Sequence, residues 1–277
     1  MDRSDVEGQL DSSSARRDDV VASDAALRIV LERLGRFGVG AWVRDGVLFT
    51  CGPDGSSGPY AHAVLCLTRK CSADRSLTLA VEHARWCGTP VGLWVRGHAD
   101  SDVETAARRA GLGLFGGSDV LTGMVAHEAP ASSDARAASI VRRAKDPEMF
   151  AAVVAAAFEE RGISFAAAAA LLDNPPLLNA EGSHAFVALT DGQPVASAIV
   201  FVEPPYGALA YIGTIPAARR RGAATEVTVA AMRAAINRGA SRLCLQATPE
   251  GKILYQRLGF AEVTEYPCYL VPPSPVL

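Results

Sequence analysis

The chain carries an internal repeat at a fixed distance of 151 positions. The segment from Ser76 to Val95 lies over the segment from Val227 to Gln246, and each shows apolar residues at helical spacing, a glycine and a short apolar strand. Gly88 falls over Gly239. Both halves continue with a second helix, a glycine turn and a strand. This order predicts a duplicated α/β unit, although two unrelated α/β stretches can also align in this way by chance.

Composition and charge exclude several classes of protein. Of the 277 residues, 49% are hydrophobic, and the net charge of -3 provides no overall positive field that would attract nucleic acid or an acidic membrane. The six cysteines are scattered without C-x-x-C pairs, which indicates neither a metal site nor a disulfide framework. The N-terminus is charged and serine-rich, unlike a signal peptide, and no window approaches the roughly 20 apolar residues of a membrane span. We therefore expect a soluble cytoplasmic protein.

Changes in composition divide the chain. Residues 1–23 are polar and charged, and they predict a flexible N-terminal tail. The stretch from Glu128 to Ala138 is rich in proline, serine and alanine and separates two apolar strands, which is typical of a domain boundary. The sequence therefore predicts one domain over residues 24–130 and a second over residues 136–277.

The second half contains clear signals for where helices and strands begin and end. Asp146 is a suitable N-cap for a helix over residues 147–159. Apolar runs on both sides of Asp191 and Gly192 predict a β-hairpin. A third strand, "GALAYIGTI", then leads into a turn and a helix that begins near Gly222. These elements predict the α/β class, with a mixed and mostly antiparallel sheet flanked by helices.

The turn "PAARRRGAAT", residues 216–225, allows three interpretations. A glycine turn that opens a helix presents unpaired backbone N–H groups at the positive end of the helix dipole, which suits phosphate. A nucleic-acid surface would need more basic residues along one face and aromatic platforms, and only Arg233 and Arg238 add to the three arginines. A solvated arginine cluster is the third alternative. The strand before the turn favours the phosphate site.

The same turn resembles a signature of the GCN5-related N-acetyltransferases, the GNAT family. That signature reads V-x-P-x-x-(Q/R)-x-x-G-x-(G/A). Arg219 stands at the Q/R position, Gly222 at the central glycine and Ala224 at the final small residue. The resemblance covers roughly residues 139–272 and extends weakly to the first half through the repeat. It implies two tandem GNAT-like domains.

A second family signature, N-x-x-A-x-x-x-Y-x-x-x-G-F, is similar to "TPEGKILYQRLGF", residues 248–260. Tyr255 is in register, whereas Thr248 stands where asparagine is usual and Gly251 where alanine is usual. By resemblance, the Tyr255 hydroxyl would protonate the departing CoA thiolate. The family often places a catalytic glutamate on its fourth strand, but "GALAYIGTI" contains no acid. Glu203, at the end of the preceding strand, and Tyr211 are the candidates for accepting the proton of the amine.

The resemblance also implies a binding site for acetyl-CoA. The fourth and fifth strands would splay apart to admit the pantetheine arm, and backbone groups of two residues would hydrogen-bond it. The backbone amides of the following turn would hold the pyrophosphate. The residues implied are Thr214 and Ile215 for the arm, Arg219 at the signature position, and Arg220, Arg221, Gly222, Ala223, Ala224 and Thr225 for the pyrophosphate.

The first half lacks these features. At the offset of the repeat, Cys71 replaces Gly222 and Thr68 replaces Arg219. A side chain at position 71 disfavours the close approach of phosphate, so we interpret this half as a degenerate copy that shapes the acceptor pocket. The sequence thus predicts a GNAT-type acyltransferase that moves an acetyl group from acetyl-CoA to an unidentified amine, with no metal. A non-catalytic acyl-CoA-binding module is the alternative, and a homodimer is compatible with either.

Overall fold

The structure is a computed structural model that describes residues 3–68, 71–115, 120–131 and 139–274. Its α-helices are α1 (Arg3–Arg36), α2 (Ala73–Cys87), α3 (Ser101–Arg109), α4 (Pro147–Phe158), α5 (Phe165–Leu172), α6 (Pro175–Asn179), α7 (Ala223–Ile236) and α8 (Lys252–Arg257). Its strands are β1 (Gly40–Arg44), β2 (Val47–Cys51), β3 (Ala63–Cys66), β4 (Val91–Trp94), β5 (Leu121–Ala126), β6 (Ile140–Arg143), β7 (Ser183–Thr190), β8 (Gln193–Glu203), β9 (Tyr206–Thr214), β10 (Arg242–Ala247), β11 (Ala261–Tyr266) and β12 (Cys268–Val271). Among the described helices, none has both the length and the apolar character needed to cross a bilayer.

Local signals in the second half are confirmed. The Asp146 side chain accepts a hydrogen bond from the Met149 amide and caps α4. The hairpin of β7 and β8 turns at Asp191 and Gly192, whose φ angles are 51° and 78°. These positive angles are the ones that an Asp-Gly hairpin turn requires, so the turn residues fix the register of the two strands.

The strands form two mixed sheets. One sheet has five strands in the order β1-β2-β3-β4-β12, and the other has seven in the order β11-β5-β10-β9-β8-β7-β6. Both sheets are mostly antiparallel, each with one parallel pair, β3 with β4 and β10 with β9. The predicted fold class is therefore confirmed.

The two sheets exchange a strand. The first half of the chain supplies β5, which lies between β10 and β11 of the seven-stranded sheet. The second half supplies β12, which pairs with β4 at the edge of the five-stranded sheet. The predicted domain limits, 24–130 and 136–277, keep each of these strands in its own half, whereas the structure places each in the sheet of the other half. Residues 132–138 of the predicted boundary lie outside the described residues.

Helix α1 corrects the prediction of a flexible tail over residues 1–23. The helix spans Arg3–Arg36, and Ala22 and Ser23 are fully buried, so the expected boundary falls inside it. One face, with Ala26 and Val30, packs on the seven-stranded sheet, while Leu27 and Leu31 join the core beneath the five-stranded sheet. Apolar residues on two faces explain the difference, because a helix between two sheets buries both.

The packing of α1 on β5 gives a testable prediction. A Cβ at Gly123 would lie 2.5 Å from Ser23 Oγ and 2.7 Å from Tyr266 Cε2. These two side chains are joined by a hydrogen bond of 2.9 Å. We expect Gly123→Ala to lower the free energy of unfolding by about 1–3 kcal/mol, as overpacking does. Gly113→Ala is the control, because a Cβ there meets no atom within 4 Å. Equal melting temperatures for the two variants would contradict this packing.

Candidate active site

The seven-stranded sheet opens between β9 and β10. In the described part of the chain, the two strands pair only where Tyr206–Ala208 meets Arg242–Cys244. Beyond these residues β9 continues to Thr214 and β10 to Ala247 without ladder pairing. Two parallel strands that stop pairing leave a row of backbone donors and acceptors facing the gap. We call this opening the strand cleft.

A β-bulge in β9 accounts for the divergence. The register with β8 shifts so that Ser197 pairs with Gly213 and Ile199 with Ala210, which leaves two residues of β9 opposite one of β8. Tyr211, in this bulge, has a φ of 49°, and its carbonyl accepts a hydrogen bond of 3.1 Å from Ser197 Oγ. A bulge bends its strand and increases the local twist. The bend therefore turns the end of β9 away from β10.

The strand cleft holds a cavity of about 360 Å³ that both halves of the chain line. The second half contributes β9, β10, Tyr255 and the end of α4. The first half contributes Ser57, Gly58, Pro59, Tyr60, Phe115 and Leu121. Cys268, from the exchanged strand β12, also lines it. The strand exchange thus places residues of both halves around one cavity.

Two polar atoms in the cleft are left without partners. Thr214 Oγ1 and Gln246 Nε2 are buried and have no hydrogen-bond partner among the described residues. Buried polar groups in native proteins are nearly always hydrogen-bonded. The two atoms lie on the diverging strands, β9 and β10, so a ligand between the strands could satisfy both.

The turn before α7 forms a cradle of backbone amides. Gly222 has a φ of 89° and precedes the helix without a side-chain cap, and Arg220 has a φ of 65°. The helix begins its own bonding with the Glu226 amide, which donates to the Gly222 carbonyl. Within the described chain, no amide from Arg220 to Thr225 donates to another group. The predicted positive φ at Gly222 is confirmed, and this amide cradle suits an anion.

The residues predicted to bind a ligand around this turn differ in their surroundings. The cavity beside the cradle, which adjoins the strand cleft at Thr214, is lined by Arg219, Arg220, Gly222, Ala223, Ala224 and Thr225. Arg221 is not among the lining residues. The Arg219 guanidinium forms a salt bridge of 2.9 Å with Glu160 and donates to the carbonyls of Thr214 and Ala157. Arg219 therefore ties the turn to the end of α4.

The backbone of Ile215 corrects another prediction. Its amide donates to the Val195 carbonyl at 3.0 Å, so this group is not free for a ligand. Successive residues of a strand direct their amides to opposite sides, which turns the Thr214 amide toward the cleft. Of the two residues predicted to hydrogen-bond a ligand arm, Thr214 alone faces the opening.

Tyr255 lies on α8 and lines the strand cleft. The residue is only 7% exposed, and burial raises the pKa of its phenol above the ordinary value near 10. No described group hydrogen-bonds its hydroxyl. A protonated phenol in this position is a proton donor facing the cavity.

Comparison with known proteins identifies the domain that carries this site. Residues 155–260 match the model of the acetyltransferase (GNAT) family. This part of the chain is therefore similar in sequence to the GNAT family. Structural similarity extends over most of the chain: a GCN5-related N-acetyltransferase from Kribbella flavida is 16% identical, covers 92% of this chain and 97% of its own, and has a TM-score of 0.64. None of the curated proteins matches the sequence.

Two further solved structures share the fold. A functionally unknown conserved protein from Staphylococcus epidermidis ATCC 12228 is 13% identical with a TM-score of 0.59, and the match covers 83% of this chain and 92% of that one. A tandem GNAT protein from the clavulanic acid biosynthesis pathway is 12% identical with a TM-score of 0.54, covering 83% of this chain and 79% of that one. The predicted fold, with two mixed sheets flanked by helices, is therefore shared with these structures.

In this GNAT domain Glu203 does not reach the strand cleft. Its carboxylate pairs with the Arg33 guanidinium at 2.8 Å, and it lies at the end of the hairpin of β8 and β9 where the two strands are joined. The cleft opens at the opposite end of β9, at Thr214. The structure therefore does not bring Glu203, which the sequence predicts as a base, to the cleft. Tyr211 does line the cleft, but burial raises the pKa of its phenol. The phenol therefore stays protonated and cannot accept the proton of the amine.

Glu250 and Arg161 line the GNAT cleft and were missed in the sequence. Glu250 is the one carboxylate among the described lining residues, and it forms a salt bridge with Arg161. Its pKa is lowered by a hydrogen bond from its own backbone amide, and further by the Thr248 hydroxyl and Arg161. Since Glu250 lies inside the second signature, two residues after Thr248, the motif itself could have pointed to it.

Among its described residues, the N-terminal half has no equivalent cleft. Its parallel strands pair from Ala63 with Gly92 to Leu65 with Trp94, which spans nearly the whole of β3 and β4. By its N-cap position, Ser72 rather than Cys71 corresponds to Gly222, and its side chain accepts a hydrogen bond from the Arg75 amide. The Ser72 side chain thereby bonds an amide in the first turn of α2. The first turn of α7 has no such side-chain cap. Arg69 and Lys70 lie outside the described residues.

Proposed function

We propose that the chain is an N-acetyltransferase that moves an acetyl group from acetyl-CoA to an amine on a largely apolar acceptor. The observation that carries the proposal is the continuity of the strand cleft with the amide cradle at Thr214. A cleft for an extended arm next to a cradle for a diphosphate matches the shape and the charge of this cosubstrate.

The polar groups of the cleft fit the arm of acetyl-CoA. Pantetheine carries two amides, and Thr214 Oγ1 and Gln246 Nε2 are buried without partners on the two strands that would flank it. The free amides of residues 220–225 would hydrogen-bond the pyrophosphate oxygens, and Arg220 adds positive charge beside them. The residues present therefore suit the cosubstrate at both ends.

Acetyl-CoA supplies an activated thioester, and the chain supplies position and a proton. The buried Tyr255 hydroxyl is available to protonate the leaving thiolate. Direct transfer requires no nucleophile of the enzyme, and Cys244 is buried in the sheet outside the cleft. The apolar walls from both halves, which include Tyr60, Phe115 and Phe158, favour an acceptor with an apolar body next to its amine.

The pH dependence of the reaction follows from the groups in the cleft. Burial raises the pKa values of Tyr60, Tyr211, Tyr255 and Cys268, and the pKa of Glu250 is lowered. None of these groups is shifted toward neutral pH, so the proton of the acceptor leaves through water. Since only the neutral amine attacks, we expect kcat/KM to rise with pH and to level off near the pKa of the acceptor itself.

Two acceptors with different amine pKa values would test this expectation. The pH at which kcat/KM rises should be higher for the acceptor whose amine has the higher pKa. A limb that stays at one pH below 8 for both acceptors would instead reveal a base on the enzyme.

A single paired experiment separates the enzyme from the alternative, a binding module without chemistry. Calorimetry measures the binding of acetyl-CoA, and release of free thiol across a panel of apolar amines measures transfer. We expect micromolar binding together with thiol release that depends on the amine. Binding without release across the panel would support the module, and no binding would overturn both functions.

A further inference from the structure

A cluster of sulfur and nitrogen atoms lies in the N-terminal half, away from the strand cleft. The ligand atoms of Cys51, His62 and Cys87 all lie within 4.8 Å of one another. Cys51 Sγ is 3.5 Å from His62 Nδ1 and 3.5 Å from Cys87 Sγ. Cys87 Sγ is in turn 3.6 Å from His83 Nε2 and 3.8 Å from His83 Nδ1. None of these four residues lines the cleft or the cradle.

Three elements of the fold bring the four side chains together. Cys51 ends β2, His62 immediately precedes β3, and His83 and Cys87 lie one turn apart on α2. Residues four apart share one face of a helix. Cys51, His62 and His83 are buried, and Cys87 is partly buried, which leaves a path from solvent. The sequence gives little sign of this set, because its one regular spacing is His83-x-x-x-Cys87 on a helix and not a C-x-x-C pair.

In both His62 and His83, Nε2 is hydrogen-bonded to a backbone carbonyl, which leaves Nδ1 without a hydrogen. His83 Nε2 lies 2.9 Å from the Thr50 carbonyl, and His62 Nε2 lies 3.2 Å from the Ser56 carbonyl. A carbonyl oxygen only accepts, so each Nε2 carries the hydrogen. The Ser56 hydroxyl, which also touches His62 Nε2, gives its own hydrogen to the Pro53 carbonyl at 2.6 Å. His62 Nδ1 therefore presents a lone pair to Cys51 Sγ, whereas the His83 ring lies beside Cys87 Sγ with both of its nitrogens at similar distances from that sulfur.

This arrangement of the histidines is the one that metal sites use. Histidines that bind a metal commonly donate their other ring N–H to a backbone carbonyl, which fixes the tautomer and the ring orientation. Zinc bonds of about 2.3 Å to sulfur and about 2.0–2.1 Å to nitrogen, at tetrahedral angles, place two sulfurs about 3.8 Å apart and a sulfur and a nitrogen about 3.5 Å apart. The separations of 3.5 Å between Cys51 Sγ and His62 Nδ1 and 3.5 Å between the two sulfurs are close to these values.

We propose that Cys51, Cys87 and His62 bind Zn²⁺ or a similar thiophilic dication in a structural site, with His83 as the fourth ligand once its ring turns toward the ion. The ligands already in place are the two thiolates and His62 Nδ1, and His83 lies beside Cys87 Sγ. Both thiols lose a proton on binding, so two protons are released and no electron is transferred. With four protein ligands the site leaves no open position for substrate, and it joins α2 to β2 and β3.

A disulfide between Cys51 and Cys87 is the competing use of the same sulfurs. Such a bond would leave the lone pair of His62 Nδ1 without a partner. A cation satisfies the sulfurs and the nitrogens together, so the geometry favours the metal.

Titration of the reduced, chelator-treated full-length protein with Co²⁺ tests the site. We expect one equivalent to bind, with thiolate-to-cobalt charge-transfer absorption for two sulfurs and the visible bands of a tetrahedral ion. Zn²⁺ should displace the cobalt and raise the melting temperature. The wild-type spectrum itself counts the sulfur ligands, so this result does not depend on the folding of any variant.

Variants then assign the ligands. Cys51→Ser and Cys87→Ser should each lose most of the charge-transfer absorption, whereas Cys71→Ser, a partly buried cysteine of the same half outside the cluster, should bind like the wild type. Three results would overturn the proposal: no stoichiometric binding by the reduced protein, unchanged absorption in Cys51→Ser, or a mass two hydrogens lower from a Cys51–Cys87 disulfide in protein purified under reducing conditions.

Discussion

Replacing Gly222 with aspartate is expected to weaken the binding of acetyl-CoA by about 100-fold or more, a loss of about 2.7 kcal/mol or more. Gly222 has a φ of 89°, where a residue with a Cβ is strained by roughly 1–2 kcal/mol. The new carboxylate would also stand at the start of α7, where the pyrophosphate needs free amides and positive charge. Backbone strain and charge repulsion therefore both weaken the binding of acetyl-CoA.

The control for this variant is Gly192→Asp. Gly192 has a φ of 78° in the turn between β7 and β8, and a Cβ there meets no atom within 4 Å. It carries the same added charge and a similar backbone cost, and it lines neither the cleft nor the cradle. We expect calorimetry to show wild-type affinity for this control. Equal affinity in both variants would mean that the amide cradle does not hold the cosubstrate.

Replacing Tyr255 with phenylalanine is expected to lower kcat at least about tenfold, because proton transfer by a positioned side chain typically contributes 10²–10⁴-fold. The affinity for acetyl-CoA should change little, since the substitution removes one oxygen and keeps the buried ring. Steady-state kinetics and calorimetry on the same protein separate the two effects.

Tyr206→Phe provides the matched control. Tyr206 lies at the closed end of the strand pair and lines neither the cleft nor the cradle. It should keep the wild-type kcat. If Tyr255→Phe is as fast as this control, the leaving thiolate takes its proton from another source, and the role of Tyr255 is structural.

The features that depend on neighbouring residues could be predicted from the sequence. The cap at Asp146, the hairpin turn at Asp191 and the positive φ of Gly222 are each set within a few positions of the chain. The bends of the cradle belong to this group, because the strand, the glycine and the helix are consecutive. The duplication could be predicted for the same reason, since each copy has a helix, a glycine and a short strand in the same order.

The exchange of β5 and β12 could not be predicted in this way. A strand in an antiparallel sheet presents the same alternation whichever sheet receives it, and the local pattern does not name its partner. Helix α1 shows a related limit. Its charged start suggested a tail, whereas its buried positions, such as Ala22 and Leu27, become meaningful only with a sheet on each side.

The errors at the site have a similar cause. Glu203 is close to β9 in sequence, but it sits where the hairpin is joined, and the cleft opens at the other end of that strand. The cluster of Cys51, His62 and Cys87 joins the end of β2, the residue before β3 and helix α2. Only the pair on α2, His83 and Cys87, has a spacing that could be recognised in the sequence.

A crystal structure of the protein with bound CoA tests the central claim most directly. The account predicts that the pyrophosphate lies within hydrogen-bond distance of the backbone amides of residues 220–225. It also predicts that the pantetheine arm runs between β9 and β10, with partners at Thr214 and Gln246 and with the sulfur near the Tyr255 hydroxyl. Electron density for CoA outside the strand cleft, or a cleft closed by pairing of β9 with β10 along their whole length, would contradict it.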